Sequence, residues 1–297
     1  MKSEAAKALD DVLIDYPEYA SFCEAWKKTY RLNTVACSSF IAKQFFKLEG
    51  VQFDEELRKR VYVASATACV SDDLTDGSDQ IDPKEVFLLD RKNHRNKTAN
   101  IGQQFFYALH SGLVGILPQD FEFKFEQLIK RYNQYQEKGR GLNSDISPEE
   151  IIRIKNGTGG FPFLLLYAIS FPEVDDLPAS FESDYSLHSL PETKEGAIFN
   201  YGSMLSRLDD LDDLKYDSRK NRKSLATERL TSWREIGNDI EYVRSGLERF
   251  YPKERVDSVI SIYTPVRLLH LTSIFLNISH YLETREKNYA PSLGPNL

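Results

Sequence analysis

The chain is 297 residues long, room for one large domain or two small ones. Its 45 acidic residues against 38 basic ones give a formal net charge of −7, which argues against a nucleic-acid protein working through bulk positive charge. Hydrophobic residues make up 41% and charged ones 28%, a globular balance, and the three cysteines (Cys23, Cys37, Cys69) are too few and too scattered for a disulfide framework or a thiolate metal site. No apolar run reaches the roughly 18 residues of a membrane span, and the acid-bearing start MKSEAAKALDDVL has no apolar signal core. The expectation is a soluble, cytoplasmic protein with no integral membrane segment and no nucleic-acid partner. With 15 glycines and 12 prolines, the chain is poor in the turns a β-rich fold needs.

From residue 19 to 50, apolar residues recur three and four apart (Ala20, Cys23, Trp26, Tyr30, then Val35, Phe40, Ile41, Phe45), the stripe of an amphipathic helix. Helix formers then dominate residues 58–76, 100–117, 120–139, 147–157, 194–216, 226–251 and 257–287. Asp82-Pro83-Lys84-Glu85 and Ser147-Pro148-Glu149-Glu150 each place proline at the first helical position after a capping side chain. The stretch from Phe171 to Pro191 is the longest loop candidate, and no segment alternates convincingly as a strand. The pattern predicts a single all-α domain, residues 1–297, of about ten or more helices.

Two acidic clusters stand out. Asp72-Asp73-Leu74-Thr75-Asp76, a DDxxD, ends a helix of small and apolar residues. Asp72 and Asp76 are four apart, so they share a face and repel, a penalty that a cation removes. Taken alone, the pentapeptide also reads as a solvated acidic helix end. In the second cluster, Asp209, Asp213 and Asp217 stack down one stripe beside Leu205, Leu208, Leu211 and Leu214, so the acidic line borders the core. Oxygen-only ligands on helices suit a hard cation such as Mg²⁺. Neutralisation by Arg219, Lys220, Arg222 and Lys223 is the plainer alternative. Between the clusters, Arg153-Ile154-Lys155-Asn156-Gly157-Thr158-Gly159-Gly160 carries three glycines in a helical pattern, which predicts a helix break.

The pair of clusters resembles the class I isoprenoid synthases, the trans-prenyltransferases and class I terpene cyclases. In that family a helical bundle faces a first DDxxD across a central cavity towards a second acidic motif. Asp209-Asp210-Leu211-Asp212-Asp213 fits the second DDxxD of prenyltransferases. Asp209, Asp210, Asp213 and Asp217 fit the cyclase pattern (N/D)Dxx(S/T)xxx(E/D), with aspartate in place of Ser/Thr. Arg153, Asn156 and Gly157 have the spacing of the cyclase sensor, linker and effector, while Lys155 and Thr158 approximate the prenyltransferase Lys-Thr. The chain departs from the prenyltransferase pattern in its cationic clamp. Lys28 and Arg31 are its nearest counterpart to the N-terminal segment, no arginine follows Asp76 until Arg91, and Ser206 replaces the usual glutamine. It departs from the cyclase pattern near the C-terminus, where Arg285 and Tyr289 stand in weakly for an Arg-Tyr pair.

The resemblance therefore implies a class I terpene synthase acting on a linear prenyl diphosphate. Asp72, Asp73, Asp76, Asp209, Asp213 and Asp217 would hold up to three Mg²⁺ ions, and Arg153, Lys155, Arg207 and Lys220 would meet the diphosphate. Small residues at Thr67 and Ala68, the floor of the chain pocket in prenyltransferases, favour a twenty-carbon substrate over a fifteen-carbon one, since each buried CH₂ contributes about 0.8 kcal/mol. A homodimer is a further implication of the resemblance. The alternatives are a prenyltransferase that elongates with isopentenyl diphosphate and a non-catalytic metal-binding or regulatory helical protein.

Overall fold

The computed structural model describes residues 2–29, 31–76, 101–118, 121–140, 146–172, 190–212, 214 and 224–263. Ten α-helices run through them, and among the described residues there is no strand. They are α1 (Lys2–Val12), α2 (Ala20–Lys27), α3 (Arg31–Glu49), α4 (Glu55–Asp76), α5 (Ile101–Ile116), α6 (Phe121–Arg140), α7 (Pro148–Ser170), α8 (Lys194–Asp212), α9 (Trp233–Glu248) and α10 (Lys253–Ile260). None of them is long and apolar enough to cross a membrane.

Three expectations change. The stripe from residue 19 to 50 is two helices, parted at Lys28–Thr29, where the Thr29 hydroxyl accepts the Arg31 backbone N–H at 3.2 Å and starts α3 afresh. The new phase turns Phe40 outward, 43% exposed, while Val35, Ala42, Phe45 and Phe46 face the core. The helix expected from residue 226 begins at Trp233, where the Ser232 hydroxyl caps the Glu235 N–H. Ahead of it, residues 224–230 form turns held by Ser224 and Thr227 on each other's backbone N–H groups. The glycine-rich segment does not break its helix: α7 runs unbroken from Pro148 to Ser170 and includes Pro162. Its start is as the capping residues predict, with Pro148 in the first turn and the Ser147 hydroxyl accepting the Glu150 N–H. The Asp82-Pro83 start and residues 173–189 of the loop candidate lie outside the described residues.

The core divides into three clusters. One gathers α3, α7, α8, α9 and α10 around Phe45, Tyr167, Tyr201 and Met204. A second joins α1, α2, α4 and α5 around Trp26, Phe105 and Phe106. The third joins α4, α5, α6 and α7 around Phe121, Phe125, Phe161 and Leu164. α4 contributes to all three, through Val61, then Tyr62 and Ala66, then Val63 and Ala64. A helix covered on so many sides needs small and apolar residues all round, which is the composition of its middle turns.

Candidate functional site

Contacts fix which segments share an end of the bundle. At one end the last residue of α3, Glu49, accepts hydrogen bonds from Tyr167 at 2.5 Å, Tyr251 at 2.8 Å and Lys194 at 3.1 Å. At the other end the first residue of α3, Arg31, forks onto Asp73 near the end of α4. α7 and α8 run antiparallel, because Lys155 pairs with Asp210 at 3.0 Å while Phe163 meets Tyr201 edge-on at 5.5 Å between centroids. The end of α4, the first half of α7 and the end of α8 are therefore all at the end of the bundle away from Glu49.

The predicted side chains among the described residues have definite settings. Asp73 accepts from Arg31 Nε at 2.7 Å on one oxygen and from Trp26 Nε1 at 3.2 Å on the other. Asp209 is exposed. Asp210, its neighbour, is buried, holding Lys155 with one oxygen and the Leu225 backbone N–H with the other at 2.8 Å. Arg153 lies one turn above Glu150, which it grips through Nε at 2.6 Å and Nη2 at 2.5 Å. That guanidinium holds the Glu150 carboxyl below the usual carboxylate range. Thr67 is fully buried, its hydroxyl donating to the Val63 carbonyl, and Ala68 is half-buried. Leu208 is buried and Leu205 and Leu211 pack on the core as the stripe requires, while Leu214 is 39% exposed. The side chains of Asp72 and Asp76, and the whole of Asp213, Asp217, Lys220, Arg91, Arg285 and Tyr289, lie outside the described residues. Among the described residues no group of three His, Cys, Asp or Glu side chains could hold a metal.

Behind Asp209 and Asp210 sits a buried brace. Arg207 is 3% exposed, with Nε 3.3 Å from Asn156 Oδ1 and Nη1 3.5 Å from Asp239 Oδ2. Burial pulls its guanidinium below the ordinary arginine value, while Asp239, Glu235 and Asp210 oppose that shift. The Asn156 carbonyl also accepts the Ser203 hydroxyl at 2.8 Å. The helix expected to break is continuous at Asn156, which fastens α7 to α8. Gly157 is needed for packing, since a Cβ there would stand 2.0 Å from Cδ1 of Tyr135. Asp239, Trp26 and the Glu49 group escaped the sequence reading. Asp239 had a signal: it falls three residues after Ile236 and four before Val243, an acid on an apolar stripe. Trp26 and Glu49 read as an ordinary core residue and an ordinary helix end.

Compared with family models, curated proteins and solved structures, the chain matches none of them.

Proposed function

We propose that this chain is a class I terpene synthase that ionises a linear allylic diphosphate and cyclises its hydrocarbon. The observation that carries the reading is the shared bundle end of Asp73 on α4, Arg153 and Lys155 on α7, and Asp209 on α8. Carboxylates are the only candidate ligands in the two motifs, with no thiolate or imidazole among them, a donor set that fits Mg²⁺. Asp72, Asp76, Asp209, Asp213 and Asp217 would hold it, and it would supply Lewis-acid stabilisation of the departing diphosphate.

The chain's own residues do the rest. Arg153, partly exposed in the first turns of α7, binds and orients the diphosphate by charge-assisted hydrogen bonds, while Lys155, about 200° further round the helix, holds Asp210. Arg207 acts from behind, keeping Asn156 and the end of α8 in register. The allylic C–O bond breaks with both electrons going to diphosphate. The resulting cation is attacked by a double bond of the same chain and is quenched by loss of a proton. Such a reaction requires apolar and aromatic walls that fold the chain and keep water from trapping the cation.

The test supplies geranyl, farnesyl or geranylgeranyl diphosphate with Mg²⁺, alone and with isopentenyl diphosphate. Hydrocarbon from the allylic substrate alone is expected, abolished by EDTA and restored by added Mg²⁺, with geranylgeranyl diphosphate preferred. Product that requires isopentenyl diphosphate makes the chain a prenyltransferase. Folded protein that releases no diphosphate from any of the three is non-catalytic.

A further inference from the structure

Two cations and two carboxylates meet where α7, α8 and α9 adjoin. Lys155 pairs with Asp210 at 3.0 Å and Arg207 with Asp239 at 3.5 Å. Asp210 also accepts the Leu225 N–H at 2.8 Å, and Arg207 also donates to Asn156 at 3.3 Å. Arg207, Asp210 and Asp239 are all buried, so an error in their pairing is costly. Asp239 lies outside both acidic clusters and outside the glycine-rich segment.

Arg207 is the least settled of the four. Both its bonds are long, and its Nη2 has no partner among the described residues. Asp210 stands three residues along α8 from it, the spacing at which helix side chains meet, and its charge already acts on Arg207. Glu235, one turn before Asp239 on α9, acts on it too, but is exposed and shared with water. A buried guanidinium deprived of Asp239 therefore turns to Asp210, leaving Asn156 and competing with Lys155 and the Leu225 N–H. We propose that Asp239 is a positioning residue for the candidate site: its charge holds Arg207 off Asp210, so that Asp210 keeps the turn at 224–230 on the end of α8 and Arg207 keeps α7 beside it. The part of α7 so held carries Arg153. What is positioned thus rests on the terpene-synthase reading, and the division of charge on the contacts alone.

Amide exchange reads the division of charge. Asp239→Asn keeps the size of the side chain and removes its charge, so the Leu225 N–H should exchange faster while amides in the middle of α4 keep their rates. Arg207→Met with Asp239→Leu removes both charges of one pair. There Leu225 should exchange as in wild type, because nothing then competes for Asp210. Titration calorimetry with inorganic diphosphate and Mg²⁺ reads the site. Asp239→Asn should bind diphosphate about threefold to tenfold more weakly. Added to Arg153→Ala, it should cost nothing further, since its effect runs through Arg153.

Leu225 exchange left unaltered by Asp239→Asn, or quickened in the double variant, would overturn the division of charge, and the double variant decides it alone should Asp239→Asn not fold. An Asp239→Asn protein that melts lower yet binds diphosphate as wild type would make Asp239 merely structural and overturn the positioning role. Wild-type protein that binds no diphosphate refutes the functional reading and the positioning role together, whereas the exchange comparison still judges the contacts by themselves.

Discussion

Tyr167 and Tyr251 both donate to Glu49 Oε1, and their own hydroxyls stand 3.3 Å apart. A second buried pair, Tyr201 and Tyr263, shares a hydrogen bond of 2.7 Å. Burial is the main cause that pushes all four phenols up, Tyr263 to about 12 and the others further, with Glu49 adding to the effect on Tyr167 and Tyr251. An unfolded tyrosine ionises near about pH 10. The folded values lie above that, so the phenols' contribution to stability is complete below about pH 10 and is lost as pH climbs through the folded values. In an alkaline titration followed by phenolate absorbance and circular dichroism, these four of the 16 tyrosines should ionise only as helix is lost. Ionisation of all 16 near the ordinary value, with helix intact, would count against the packing described for them.

At the scale of elements, the α7–α8 seam shows how a sequence signal can be read correctly and explained wrongly. Glycine spacing marked residues 157–160 as special, but the cause is close approach rather than a break. A Cβ on Gly159 would lie 2.3 Å from that of Ser206 and 2.7 Å from the Gly202 carbonyl, and one on Gly202 would lie 2.6 Å from the Gly159 carbonyl. Two backbones touch there, and backbone cannot rotate aside. Gly159→Ala should therefore destabilise by about 1–3 kcal/mol, despite gaining helix propensity. Gly237 sits exposed in α9 with nothing within 4 Å of an added Cβ, so Gly237→Ala should stabilise by about 0.5–1 kcal/mol. Thermal melts of the two variants compare them directly, and an equal response would sink the close-approach account. Periodicity found most helices because each buries one stripe. It missed the division between α2 and α3 because Tyr30 bridges Trp26 and Val35 in the run of apolar residues, although the nine-residue step between those two puts the stripes about 180° out of phase, and it left α1 unread because its short stripe of Ala5, Ala8, Leu9 and Val12 adjoins charge.

At the scale of the molecule, the all-α architecture was legible. What residue order alone could not convey is which carboxylates are spoken for, since that depends on helices distant in the chain: Asp73 on Trp26 and Arg31, Asp210 on Lys155, Asp239 on Arg207. One of those contacts also makes the protein its own optical instrument. There are two tryptophans, and Trp26 is sheltered with its indole N–H on Asp73, whereas Trp233, at the head of α9, is 52% exposed. Replacing Trp233 with Phe leaves emission from a single indole whose dipole lies against the first acidic cluster. Adding Mg²⁺ and inorganic diphosphate to that variant should shift the emission maximum without any label, and chelation should reverse the shift. A spectrum indifferent to both additions would mean that ligand never reaches the end of the bundle where Trp26 resides. Where a shift is seen, the same signal followed after rapid mixing reports how fast that end responds, before any product has formed.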